Sequence, residues 1–359
     1  MGARETVIIV GAGPSGLTTS YHLKELNVPH VVLERGSAPG STFGRMRASM
    51  ELVSPPFFSE LPGLGFPEGS PRFLTMPAFQ EYLKGYAVHH RLPVKIDAEV
   101  KQVTRARPDA PFVLELAGGQ ALESKCIVCA TGVFSTPHIP RELAVDRVTV
   151  PWLHSAYYQA PRAFAGRNVL IVGGGLSAQE IALELAEHAP VTMAARVPLK
   201  WIPNPVLGID LHWFAWLPEM IPVRWIPWAV KHAREPASGA PIRAALKSNK
   251  IRVKPGVTRL DGDTAHFADG TSQRYEAFIL ATGFRPTVRW LDGLASATGE
   301  RIDDAPDGES SAHPGLYFVG FPFLRTFASR YLRGIRRDAR HTAQRIADRV
   351  AQKALVVRK

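Results

Sequence analysis

Two short stretches of the chain carry glycine at spacings that suit phosphate chemistry. "VIIVGAGPSGLTTSYHL" sets Gly11, Gly13 and Gly16 in a G-x-G-x-x-G pattern. "VLIVGGGLSAQEIALEL" sets Gly173, Gly175 and Ala178 in the related G-x-G-x-x-A pattern. Each follows a β-branched apolar run and leads into a helical pattern. The first glycine permits a tight turn and the second lets backbone approach a pyrophosphate. The third small residue lets helix and strand pack closely. The helix N-terminus then offers unpaired N–H groups and a positive dipole end to the phosphates. A bare glycine pattern is weak, and the strand before and helix after supply the context it needs.

The residue ending the next strand distinguishes the two turns. "HVVLER" ends in Glu34, followed by Arg35. A carboxylate about twenty residues beyond the turn accepts bonds from ribose hydroxyls. "PVTMAAR" ends instead in Arg196, with Lys200 close behind. A carboxylate there would repel a 2′-phosphate, whereas an arginine forms a charge-assisted pair with one. The first turn is therefore expected to hold FAD by its ADP half, and the second NADPH. The FAD set comprises Gly11, Gly13, Pro14, Ser15, Gly16, Glu34, Arg35, Val100, Thr131 and Gly132. The NADPH set comprises Gly173, Gly175, Leu176, Ser177, Ala178, Arg196, Lys200, Thr282 and Gly283.

These residues need strands that end at turns. "KCIVCATG" reads as a buried strand breaking at Ala130-Thr131-Gly132, and "AFILATGFRP" repeats the form at Ala281-Thr282-Gly283. Each lies about a hundred residues after its glycine turn, which reads as an internal duplication. The fold class is α/β, with two Rossmann-like dinucleotide-binding domains. The NADPH domain, 161–285, is inserted in an FAD domain formed by 1–160 and 286–359. "GLYFVGF" reads as a last strand returning to the first domain.

The pattern resembles the two-dinucleotide-domain flavoproteins, and within them the flavin-containing (class B-like) monooxygenases and their short bacterial members. The resemblance covers nearly the whole chain. It rests on GAGPSG with Glu34-Arg35, Gly40-Ser41-Thr42-Phe43, GGGLSA, ATGFRP, LYFVGFPF and SRYLRGIRRDA. It implies that Thr42 and Phe43 join the FAD set. It also implies that NADPH reduces the flavin, and that a C4a-hydroperoxyflavin passes one oxygen atom from O2 to a small or medium apolar substrate. The oxygen would go to nitrogen, sulfur or a ketone carbon. In the family fingerprint, His154 and Tyr158 match while Val148 and Val150 depart. Ser54 stands where an asparagine is common, and Ser54 and Arg45 are the candidates beside the reacting end. These departures leave two rivals: an NADPH-dependent reductase serving an acceptor, which could be an acidic redox partner, and a non-catalytic nucleotide-binding flavoprotein.

Composition narrows the classes. The 359 residues are 45% apolar and carry a net charge of +11, with two cysteines. No stretch reaches the length of a membrane span, and the chain reads as cytoplasmic. The positive excess gathers after Arg330, on an expected terminal helix with Ala339, Ala343, Ile346 and Val350 on one face and a solvated basic face opposite. No nucleic-acid reader motif accompanies it. Cys126 and Cys129, on a strand, are expected to point to opposite faces and so form no redox pair. No metal site is expected. Residues 201–228 hold five of the seven tryptophans and read as an insertion packed on its own domain, with a lid over an apolar substrate and a membrane or partner docking segment as alternatives, and with His212 and Trp213 as candidate substrate contacts.

Overall fold

The computed structural model describes residues 4–134, 136–199, 201–202, 209–225, 237–238, 240–291 and 293–357. The chain divides into two compact units. One comprises Met1–Thr136, Trp216–Lys231 and Arg285–Lys359; the other comprises Pro137–Ala215 and His232–Phe284.

The first unit opens with β1 (Arg4–Val10), α1 (Pro14–Glu25) and β2 (His30–Leu33). Two single-turn helices follow, α2 (Ser41–Gly44) and α3 (Pro56–Ser59), then α4 (Met76–His89). β3 (Val94–Lys95), β4 (Val100–Thr104), β5 (Phe112–Leu116) and β6 (Ala121–Cys129) come next. The sheet runs β3-β2-β1-β6-β5-β4. β1 pairs in parallel with β2 and β6, whereas β4, β5 and β6 form an antiparallel meander. Both faces are covered, so β1 and β6 are apolar without alternation. Val7, Ile9, Cys126 and Val128 pack into one core, and Ile8, Val10, Ile127 and Cys129 into another. The two cysteines accordingly sit on opposite faces, both as free thiols.

The second unit is built on β7 (Trp152–His154), β8 (Val169–Val172), α5 (Leu176–Leu185) and β9 (Val191–Ala195). β10 (Trp201–Ile202) pairs with β11 (Ala237–Ser238), and between them in sequence lies α6 (Leu211–Glu219). α7 (Ala240–Lys247) and β12 (Ile251–Pro255) follow. β13 (Val257–Asp261), β14 (Thr264–Phe267) and β15 (Ser272–Arg274) form an antiparallel sheet, and β16 (Ala277–Leu280) closes the unit. The main sheet, β12-β9-β8-β16-β7, is parallel throughout. β7 pairs with β16, so this unit takes in chain from 137 onward rather than from 161.

The chain then returns through β17 (Ala297–Thr298) and β18 (Arg301–Ile302) to β19 (Leu316–Phe318) and α8 (Leu332–Val357). β19 pairs in parallel with β6, as the apolar run after Gly315 suggested. α8 buries Ala339, Ala343 and Ile346 completely, in the core that holds Leu17 and Leu23 of α1. Its basic face is not simply solvated. Arg333 is buried and forms a bidentate pair with Glu219, at 2.5 and 2.6 Å. Arg345 and Arg349 both reach the buried carboxylate of Glu309. Fork-shaped guanidinium groups serve here as internal ties. The tryptophan-rich stretch also departs from expectation. Trp216 packs edge-on to Phe57, and Val223 N–H donates to Arg325 O, so its later half belongs to the first unit.

Candidate dinucleotide sites

In the first turn, Gly11 has φ of +105°, and a Cβ there would lie 2.7 Å from Ala130 O. A Cβ on Gly16 would lie 1.8 Å from Gly11 O, so only glycine lets α1 start this close to the turn. Around Gly13 a Cβ would meet nothing within 4 Å. Its open side is where a pyrophosphate can approach. Gly13 is the N-cap of α1, and no side chain caps that end. The contrast is α4, whose first turn is capped by Thr75 accepting from Ala78 N–H. The first N–H groups of α1 are therefore left for an anion.

Glu34 fixes the other side of this turn. It is buried; Oε2 accepts from Ala12 N–H and Oε1 from Gly36 N–H, both at 2.8 Å. Each carboxylate oxygen keeps a further acceptor position for a ribose hydroxyl. Gly40, in the left-handed region at φ +70°, donates its N–H to Ala12 O and starts the turn carrying Thr42 and Phe43. Phe43 stacks edge-on against Phe79 at 5.0 Å. Thr131 donates to Thr287 O, and Gly132 continues in the left-handed region. Pro14 and Ser15 are buried at the head of α1, Arg35 is exposed, and Val100 is a buried residue of β4.

One participant was missed from the sequence. Gly320, just past β19, has φ of +84°, and a Cβ there would fall 2.0 Å from Ser15 Oγ. The returning strand thus lays bare backbone against the first turn of α1. The signal is the glycine of "FVGF", directly after the apolar run of the last strand. These features fit the ADP half of FAD: open backbone, an uncapped helix start and an anchored carboxylate.

The second turn repeats the construction. Gly173 has φ of +144°, and a Cβ there would lie 2.3 Å from Ala281 O. Gly175 caps α5 without a side-chain bond, and its Cβ position is open. Ala178 is fully buried where the first turn needs Gly16, so this turn leaves room for one methyl. Leu176 and Ser177, at the head of α5, are half-buried. Gln179, also missed, sends Nε2 to Gly174 O at 3.0 Å and braces the turn from within its helix. Arg196 follows β9 directly and is exposed. Among the described residues no hydrogen bond or ion pair engages it. Lys200 lies outside the described residues. An uncapped helix start with a nearby exposed guanidinium fits a phosphorylated nicotinamide dinucleotide.

The turn at Thr282-Gly283 has an internal clamp. Thr282 Oγ1 donates to His138 O, and His138 N–H to Gly283 O. His154 is buried; its Nε2 lies 3.0 Å from the same carbonyl while Nδ1 accepts from Ala156 N–H. These partners fix a neutral ring protonated at Nε2. Burial lowers its pKa to about 4. His154 is therefore a brace for the turn at Thr282-Gly283, a histidine that holds backbone.

Of the candidates beside the reacting end, Arg45 is exposed. Ser54 is buried with its hydroxyl 2.8 Å from Ser59 Oγ, and Ser59 in turn donates to Ser54 O. His212 uses both its backbone N–H and Nδ1 on buried Asp210, the latter at 2.6 Å, and Trp213 is about half exposed. Burial raises the Cys129 thiol to about 12, which leaves it protonated and unreactive at neutral pH.

Comparison with known proteins agrees with this construction. The family described as "Pyridine nucleotide-disulphide oxidoreductase" matches residues 8–204. Indole-3-pyruvate monooxygenase YUCCA1 of Oryza sativa subsp. japonica is 30% identical, over 94% of this chain and 90% of its own. The uncharacterized oxidoreductase CzcO-like of Geobacillus kaustophilus is 27% identical, over 93% of this chain and 96% of its own. A flavin-containing monooxygenase from Stenotrophomonas maltophilia shares the fold, with a TM-score of 0.83, 24% identity, and coverage of 97% of this chain and 99% of that one. Among the described residues no helix is long and apolar enough to cross a membrane. The chain belongs to the pyridine nucleotide-disulphide oxidoreductase family, among its flavin monooxygenases and related oxidoreductases, and uses FAD and NADPH.

Proposed function

We propose that this protein is a monooxygenase that uses NADPH to reduce FAD and inserts one atom of O2 into a small or medium apolar substrate, at nitrogen, sulfur or a ketone carbon. The other oxygen atom leaves as water, with NADPH and one proton consumed. The observation carrying this reading is the pair of uncapped glycine turns, one anchored to Glu34 and the other followed by Arg196, in a chain 30% identical to an indole-3-pyruvate monooxygenase. FAD, when bound, supplies hydride acceptance and oxygen activation. The chain's residues hold and orient. Gly11, Gly13, Gly16 and Ser15 receive the pyrophosphate of FAD, and Glu34 its ribose. Gly173, Gly175 and Ser177 receive NADPH, with Arg196 on the 2′-phosphate. Ser54 is the candidate for the reacting end, and its hydroxyl donates to Ser59 Oγ.

The test is oxygen uptake under 18O2 with NADPH and a panel of ketones, 2-oxo acids, sulfides and amines, indole-3-pyruvate first. One labelled atom in the product, with NADPH, O2 and product in equal amounts, supports the proposal. NADPH oxidation that yields only peroxide across the panel, and rapid reduction of an added acceptor protein instead, would favour a reductase.

A further inference from the structure

Gly256 is a glycine without a conformational reason. It is buried directly after β12, and its φ lies outside the left-handed region. What requires the missing side chain is Arg196. A Cβ at 256 would lie 2.6 Å from Arg196 Cγ, 3.1 Å from its Cα and 3.3 Å from its Cβ. The stem of Arg196 occupies the place a side chain would take. A second glycine acts on the same loop: a Cβ at Gly174 would lie 2.8 Å from Ala195 Cβ and 3.0 Å from Leu199 Cδ2. The loop after β9 is thus seated on bare backbone from two sides. Gly174 belongs to the nucleotide turn itself, and Gly256 belongs to the neighbouring strand's end. Both lie with Arg196 in the second unit.

We propose that Gly256 is the seat of Arg196 and thereby a positioning residue for NADPH over NADH. This rests on the reading of Arg196 as the 2′-phosphate ligand. A guanidinium on a free stem would lose rotamer freedom on meeting a phosphate, and a stem held against backbone has already lost part of it. An alanine at 256 pushes the Cγ aside and redirects the fork, while the glycine turn at 173–175 keeps its shape. The 2′-phosphate contact then weakens, and the contacts shared with NADH do not.

The experiment is calorimetric titration of the FAD-loaded enzyme with 2′,5′-ADP and with 5′-AMP, which differ by the 2′-phosphate. It is run on the native protein, R196Q, Gly256→Ala and the double variant, with thermal denaturation of each. R196Q is expected to weaken 2′,5′-ADP by about ten- to a hundredfold, the range of a charge-assisted hydrogen bond, and to leave 5′-AMP within about twofold. Gly256→Ala is expected to weaken 2′,5′-ADP by about tenfold with 5′-AMP unchanged, at a somewhat lower Tm, and to add nothing to the weakening in the R196Q background. Steady-state kinetics should then raise KM for NADPH but not for NADH, at unchanged kcat. If R196Q weakens 2′,5′-ADP and Gly256→Ala binds like the native protein, the seat is refuted while the Arg196 reading survives. If R196Q itself has no effect, the Arg196 reading falls and the seat falls with it. Equal weakening of both nucleotides by Gly256→Ala would make 256 a merely structural position.

Discussion

Gly16 shows how little room one atom leaves. Its Cβ would sit 1.8 Å from Gly11 O, against backbone that cannot rotate away. Gly16→Ala is therefore expected to push α1 from its turn, at a cost of about 1–3 kcal/mol as for other overpacked positions. The purified variant should contain little flavin by its visible absorbance relative to protein. The mirror substitution, Ala178→Gly, relieves no clash and should leave NADPH affinity within about threefold. His154 makes a different prediction. Its folded pKa, about 4, lies below the ordinary 6.5. The unfolded chain thus binds the extra proton first. Stability attached to this ring is complete above about pH 6.5 and is lost as pH falls through 4, by roughly 3–4 kcal/mol at most. Urea unfolding at pH 7.5 and 5 should show that loss in the native protein and a smaller one in His154→Gln. An equal loss in both would mean the ring is not the group that titrates.

At the scale of elements, the end of α6 is tied to α8 by a buried ion pair. Trp213 and Phe214 are about half exposed and Leu217 more so, whereas Glu219 and Arg333 are almost wholly buried together. Removing one partner of such a pair leaves a buried charge and typically costs about 3–5 kcal/mol. Arg333→Met should make the amides of 211–225 exchange with deuterium faster, with those of β1 and β6 unchanged. Much of the element structure was legible in the sequence. The strands after Thr6, Asn168 and Lys125 are continuous apolar runs, and such runs mark buried parallel strands. Both glycine turns were readable for the same local reason. β7 was not, because Trp152–His154 is three residues long and is defined by its partner β16, far away in sequence. Nor was the ionic role of α8 legible. Arg333, Arg345 and Arg349 look like any solvated arginines until the fold brings Glu219 and Glu309 to them. Gly320 and Gly256 share that limit: Gly256 is glycine because of Arg196, and Gly320 because of Ser15 as well as its left-handed backbone.

At the scale of the whole molecule, two nucleotide-binding units with unlike ribose ends in one chain are explained by electron flow from NADPH to FAD. What the flavin does with those electrons separates a monooxygenase from a reductase, and Ser54 keeps its hydroxyl on Ser59. The most direct measurement is the visible spectrum of the FAD-loaded enzyme, reduced with NADPH without oxygen and then mixed rapidly with aerated buffer. NADPH is expected to bleach the flavin faster than NADH does. On mixing, a spectrum that is neither reduced nor oxidised flavin should persist and then decay faster when an oxygen-accepting substrate is present. Immediate return of oxidised flavin with stoichiometric peroxide, indifferent to every substrate, would contradict a monooxygenase.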